Sequence, residues 1–119
     1  MNMNTAIQRL QTHARMSQVV IANDVVYLSG QVPDTAGAPV GAQTTEILAR
    51  IDRLLASASV DKTRLLTANV WLSDRKHFDA FNAVWDAWVP EGHAPTRACV
   101  QALLMREGLD VEVAVTALA

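Results

Sequence analysis

Residues Gln43–Ala58, QTTEILARIDRLLASA, decide how the rest of the chain is read. Ile47, Leu48, Ile51, Leu54 and Leu55 recur at helical spacing, while Glu46, Arg50 and Arg53 fall elsewhere around the wheel. One apolar stripe on an otherwise polar helix means that the helix lies on something it must cover. Upstream, Pro33–Gly41 is rich in proline and glycine and reads as an exposed loop. Before that loop come two β-rich runs, Gln18–Ala22 and Val25–Gly30, separated by Asn23-Asp24. Both turn residues tolerate positive φ, so the pair reads as a two-residue hairpin. Downstream, Arg64–Leu72 is a strand. Ser73-Asp74 offers an N-cap for a second helix, Arg75–Val89, which Pro90 and Gly92 terminate. Thr96–Met105 and Asp110–Leu118 read as the last strands, joined by a turn over Arg106-Glu107-Gly108-Leu109. The order β-β-α-β-α-β-β predicts a two-layer α+β domain, with two helices on one face of a mixed sheet.

The other sheet face then needs a cover. Thr96–Leu104 alternates two sets of side chains: Arg97, Cys99, Gln101 and Leu103, against Ala98, Val100, Ala102 and Leu104. The uniformly apolar second set is expected against the helices, and the mixed first set at a subunit interface or ligand site. Composition points the same way. The chain has 119 residues, 50% of them hydrophobic and only 18% charged. That makes a single domain able to fold without staples, with more apolar surface than one small core hides easily. A homo-oligomer follows as an expectation.

Net charge is −2 and the pI is near 5.8, which argues against a nucleic-acid binder. The basic residues Arg50, Arg53, Lys62, Arg64, Arg75 and Lys76 are interleaved with acidic ones rather than clustered. No apolar run approaches a membrane span, and the start, MNMNTAIQRL, does not read as a secretory signal. The lone Cys99 excludes an intrachain disulfide and fits a reducing compartment, so the cytoplasm is expected.

Few residues can carry chemistry. Arg97 enters an apolar strand after Pro95-Thr96. Its planar, permanently charged fork suits a carboxylate held bidentately, or it is an exposed edge arginine or one paired with a glutamate. Glu112 sits inside Val111–Val115. Buried, it would favour its neutral form and donate a proton near neutral pH; on a solvent-facing position it would do neither. If the last two strands pair, Arg97 and Glu112 approach one another, as a salt bridge or as a binding fork beside an acid. Cys99 shares the Arg97 set and reads as a small buried thiol, with no histidine spaced to activate it. His13, His77 and His93 show no metal-ligand spacing, and Gly30 and Gly41 form no phosphate loop. No metal site is expected. Trp71, Trp85 and Trp88 read as core or interface.

Several segments together resemble the RidA (YjgF) family of reactive-intermediate deaminases. Ala94-Pro95-Thr96-Arg97-Ala98-Cys99-Val100-Gln101-Ala102, followed by Val111-Glu112-Val113, resembles its C-terminal signature. Tyr27-Leu28-Ser29-Gly30-Gln31-Val32-Pro33 resembles its N-terminal segment, and Gln43-Thr44 and Phe81–Trp85 its two helices. The stretch from Trp85 to Arg97 looks like the YoaB-type branch.

The resemblance implies a chorismate-mutase-like fold and a homotrimer with active sites in clefts between subunits. It implies hydrolysis of 2-enamine or 2-imine acids, such as 2-aminoacrylate, to 2-oxo acids and ammonia, with no cofactor. Arg97 then grips the substrate carboxylate and Glu112 orients water or relays a proton. The Cys99 backbone helps place substrate, Ser29 and Gly30 line the cleft, and Asn82 lies near the pocket. Met16 stands where the family's best-known type has a tyrosine. A thioether donates no hydrogen bond but is flexible, which bears on substrate range. The alternatives are a non-catalytic trimer of the same fold that binds 2-oxo acids, a chaperone-like protein, and a ribonuclease; the acidic pI counts against the last.

Overall fold

The computed structural model describes residues 6–119. Six strands form one sheet: β1 (Gln8–Thr12), β2 (Ser17–Ala22), β3 (Val25–Leu28), β4 (Leu65–Leu72), β5 (Thr96–Gln101) and β6 (Val111–Leu118). Two helices, α1 (Val40–Ser57) and α2 (Phe78–Trp88), pack on one face. The spatial order is β1-β2-β3-β6-β4-β5. Every pairing is antiparallel except β4 with β5, so the sheet is mixed as expected. That parallel pair needs a crossover, and α2 supplies it.

The hairpin forms where the sequence placed it. Asn23 and Asp24 have φ of 50° and 63°, and the β2–β3 register closes on Ala22 opposite Val25. Helix α1 starts three residues earlier than its apolar pattern, at Val40, because the amide of Gln43 bonds to the Pro39 carbonyl at 3.0 Å. The second helix is split: Arg75–His77 is a 3₁₀ turn capped by Asp74, whose carboxylate accepts from the Lys76 amide. Strand β1 was not expected. Gln8–Thr12 lacks alternating apolar residues, and only Leu10 of it packs against the core.

The core is built by period-two side chains of the sheet against the helical stripes. Val19, Val26, Leu28, Val70, Leu72, Val113 and Val115 meet Ile47, Leu48, Ile51 and Leu55 of α1 and Phe81 and Trp85 of α2. Gln43 is buried among them and ties two loops to α1. Its amide nitrogen donates to the carbonyls of Ala38 and Gly108 at 2.9 and 3.0 Å, and its oxygen accepts from the Asp110 amide at 2.9 Å.

Two expectations about the last strands need correction. First, β5 and β6 do not pair; β4 lies between them. Second, the two faces of β5 are exchanged. The register sets Arg97 beside Ala68 and Cys99 beside Val70, both core residues of β4. Arg97 and Cys99 therefore face the helices, and Ala98 and Val100 face away. The physical reason is the aliphatic stem of Arg97, which lets a charged residue lie over apolar neighbours with its head at the rim. Val100, 53% exposed, joins Trp71 and Tyr27 on the face without helices, and the Thr67 and Thr116 hydroxyls bond there at 2.6 Å.

Candidate active site

Arg97 ends in a bay on the helix side of β5. Its guanidinium carbon lies 5.8, 5.7 and 5.5 Å from the ring centroids of Phe78, Phe81 and Trp85. One terminal nitrogen donates to Asn82 Oδ1 at 2.9 Å. Phe78, Asn82 and Trp85 recur at i, i+4 and i+7, so one face of α2 holds the arginine. Among the described residues no carboxylate lies within 4.0 Å of it. The bay thus holds a cation whose position is fixed by aromatic faces and one amide, with its remaining donors uncommitted. Cys99, two residues along, is half-buried. Burial pushes its thiol up, and the nearby Arg97 offsets this only in part, so Cys99 is a packed thiol rather than a thiolate.

Glu112 lies elsewhere. It stands opposite Trp71 on β6 and faces away from the helices. The isolated bridge between Gln31 and Val113 brings the chain after β3 alongside it, through Gln31 N–H to the Val113 carbonyl at 2.8 Å. Gly30 is then so close that a β-carbon there would sit 2.2 Å from Glu112 Oε2. Glycine is required at this position because the carboxylate occupies the space of a side chain. Glu112 borders a cavity of about 420 Å³ shared with Gly30, Val32, Met105, Arg106 and Leu109. Among the described residues its carboxylate makes no ion pair and no side-chain hydrogen bond.

Burial raises the Glu112 carboxyl above the ordinary glutamate range. The folded chain then holds this proton more tightly than the unfolded chain. The stability contribution is fullest below the unfolded value, about 4.3, and is lost as pH rises through the folded one. Denaturant midpoints of wild type and Glu112→Gln, measured across pH 4–8, are expected to diverge, wild type losing ground to the variant as pH rises. Parallel profiles would contradict this.

Ser29 is no free nucleophile. Its hydroxyl donates to Gln18 Oε1 at 2.6 Å and accepts from Gln31 Nε2 at 2.9 Å. The buried Gln31 and its partner Gln18 are residues that sequence reasoning did not single out. The aromatic trio Phe78, Phe81 and Trp85 falls on one face of α2, as its i, i+3, i+7 spacing in the sequence indicates, but its place around Arg97 is not readable from that spacing. Met16 lies in the β1–β2 turn, 38% exposed, bonded through its carbonyl to the His13 amide at 2.9 Å.

The structure brings Arg97, Asn82 and Cys99 together, and separately Ser29, Gly30 and Glu112. It does not bring the two groups together. Arg97 and Glu112 lie on opposite sheet faces, two strands apart (about 10 Å) and three residues apart along β4 (about 10 Å). Met16 is near the opposite sheet edge, on the order of 20 Å from Arg97. One small substrate cannot span these groups within one chain. Among the described residues no three His, Cys, Asp or Glu side chains cluster to hold a metal, and no helix is long and apolar enough to cross a membrane.

The family model described as Endoribonuclease L-PSP matches residues 6–119. The chain is 42% identical over 111 residues to the RutC family protein YoaB of Escherichia coli K12, covering 93% of this chain and 96% of that one. A RutC family protein of Haemophilus influenzae is 40% identical over 112 residues, covering 93% and 97%. A YjgF-family crystal structure from Neisseria meningitidis superposes with a TM-score of 0.92 at 41% identity, covering 96% and 95%. The two-layer sheet with two helices is the fold of these proteins. The chain belongs to this Endoribonuclease L-PSP family, also called YjgF or RidA, and sits among its YoaB-type members.

Proposed function

We propose that this protein hydrolyses 2-imino acids, and the enamines that tautomerise to them, to 2-oxo acids and ammonia, without a cofactor and at sites completed between copies of a homotrimer. The observation that carries the reading is Arg97: a fixed guanidinium with no carboxylate of its own, at the rim of the sheet. A substrate carboxylate would complete it bidentately. That contact places the adjacent imine carbon, already electrophilic, for attack.

The reaction balances with water alone. The oxygen of a water attacks the protonated imine carbon and the C=N π pair moves onto nitrogen. The attacking water loses a proton and the nitrogen gains one. The carbinolamine then expels ammonia as the carbonyl forms. An enamine first takes a proton at its β-carbon. Glu112 suits these transfers because its burial moves its proton affinity towards neutral pH, where a carboxyl can both accept and return a proton. The cavity of about 420 Å³ beside it has room for a water and a small substrate.

A subunit contact supplies what one chain lacks. The helix-free sheet face is apolar at Trp71, Val100 and Tyr27 and carries Glu112. Packing that face on the Arg97 edge of a second copy would unite the two groups in one cleft. The cytoplasm is the proposed place of action, since a lone free thiol suits a reducing compartment.

The test generates 2-aminoacrylate or an oxidase-derived 2-imino acid in the presence of semicarbazide, and follows the semicarbazone. Protein is expected to lower semicarbazone yield by consuming the imine before it is trapped. Unchanged trapping, with saturable binding of 2-oxobutyrate, would replace hydrolysis by simple 2-oxo-acid binding.

A further inference from the structure

A second polar cleft lies between α1 and the ends of β1–β3, away from Arg97 and sharing only Asp34 with the lining of the Glu112 cavity. It encloses about 500 Å³ and is lined by Gln11, Gln18, Gln31, Asp34, Arg50 and Arg53, with Leu54 at its base. Its two arginines are in different states. Arg50 is spent on structure: it donates to the Val32 carbonyl at 2.6 Å and to Asp34 at 2.9 Å, and lies 3.5 Å from Glu46. Arg53, one turn further along α1, makes no hydrogen bond or ion pair among the described residues.

The amides opposite are also half-used. Gln18 Oε1 is claimed by the Ser29 hydroxyl and Gln31 Nε2, which fixes the Gln18 side chain and leaves its NH₂ group without a partner among the described residues. Gln31 is 3% exposed, and its own amide oxygen accepts nothing among them. Gln11 falls opposite Gln18, between the Leu10–Val19 and Thr12–Ser17 pairs, with a left-handed φ of 50° inside a strand. A non-glycine residue held there costs roughly 1–2 kcal/mol, a strain found where a side chain must be aimed. Asp34 and Glu46 are both taken up by Arg50, so the uncommitted Arg53 guanidinium and the free amide donor of Gln18 suit this cleft to an anion with hydrogen-bonding oxygens.

We propose that this cleft is a second small-molecule site, taking a small hydroxy- or oxo-carboxylic acid. Its carboxylate would pair with Arg53 and its second oxygen with the Gln18 and Gln11 amides. The Asp34–Arg50 pair would form the rim. This site does not depend on the deaminase reading, since Arg53, the group that would bind the carboxylate, lies in neither the Arg97 bay nor the Glu112 cavity.

The test is a ¹⁵N–¹H titration of the full chain with malate, against sodium chloride at matched ionic strength. Saturable shifts are expected for the Gln11 and Gln18 side-chain amides and for Arg53 Nε. Affinity should fall about tenfold or more in Arg53→Gln, return in part in Arg53→Lys, and persist in Arg97→Gln, as loss of one charge-assisted fork predicts. Arg53 is exposed, so these variants should fold; an unchanged thermal midpoint checks it. Shifts that sodium chloride reproduces, that survive Arg53→Gln, or that occur only around Arg97 would overturn the proposal. Failure in that form leaves the imine-trapping result untouched, and the reverse holds too.

Discussion

Arg97→Ala is expected to lower kcat/KM for imine hydrolysis by about 10²–10³-fold, while the folded protein keeps its thermal midpoint within a few degrees. The size follows from removing a charge-assisted bidentate anchor that both binds and orients the substrate. The small stability change follows from exposure: one guanidinium head is shared among the three rings at the rim, and an exposed cation–π stack of this kind contributes roughly 0.5–1 kcal/mol in all. Arg97→Lys separates charge from geometry. It retains the cation but loses the fork, so it should recover only part of the activity, mostly through KM. Circular dichroism and the semicarbazide assay on the same preparations check both halves. Full activity in Arg97→Ala would remove the carboxylate-binding role from this residue.

Trp85→Ala should have the largest effect on stability. Trp85 is 5% exposed, stacks on Phe81 at 5.9 Å and meets Trp88 at 5.4 Å. Truncating a buried aromatic to alanine costs about 3–5 kcal/mol through lost burial and the cavity left behind. Against a typical total of 5–15 kcal/mol that is a fall in Tm on the order of 10–20 °C. Trp85 is also the ring nearest Arg97. Trp85→Phe, which keeps an aromatic face, tests that second role: a KM rise of less than about tenfold with a near-normal fold is expected. Calorimetry on the alanine variant and steady-state kinetics on the phenylalanine variant read the two effects separately.

Some of this was legible in the sequence. The apolar spacing of Ile47, Leu48, Ile51, Leu54 and Leu55 defines α1, since one stripe must be buried whatever lies beneath it. Asn23-Asp24 between two apolar runs defines the hairpin, because few residue pairs accept two positive φ values. Strand β1 was not legible: its polar residues form a strand because β2 offers an edge, which is a property of the partner. The alternation in β5 separated two sets of side chains correctly, but apolarity alone assigned the wrong set to the helices. The Arg97 guanidinium over Phe81 and Trp85 was the deciding contact, and those rings come from another element.

For the site, the residue types spoke and the topology stayed silent. Arg97 stood out as a fork ahead of an apolar strand, and Glu112 as a carboxylate within one. Their separation depends on β4 lying between β5 and β6 and on each strand's face, which no local pattern encodes. The same separation makes composition meaningful. A chain with so few charges carries an apolar sheet face, and Glu112 lies on that face rather than in the Arg97 bay.

The central claim is that Arg97 of one copy works with Glu112 of another. Mixing subunits tests it directly. Arg97→Ala and Glu112→Gln proteins are each assayed alone, then unfolded together in equal amounts, refolded and assayed again. With sites shared around a ring, about one site in four of the random assemblies has both native residues. Recovery of roughly a quarter of wild-type activity, from two variants that are each nearly inactive, is the predicted result. No recovery, in assemblies shown by native mass spectrometry to contain both variants, would contradict the claim.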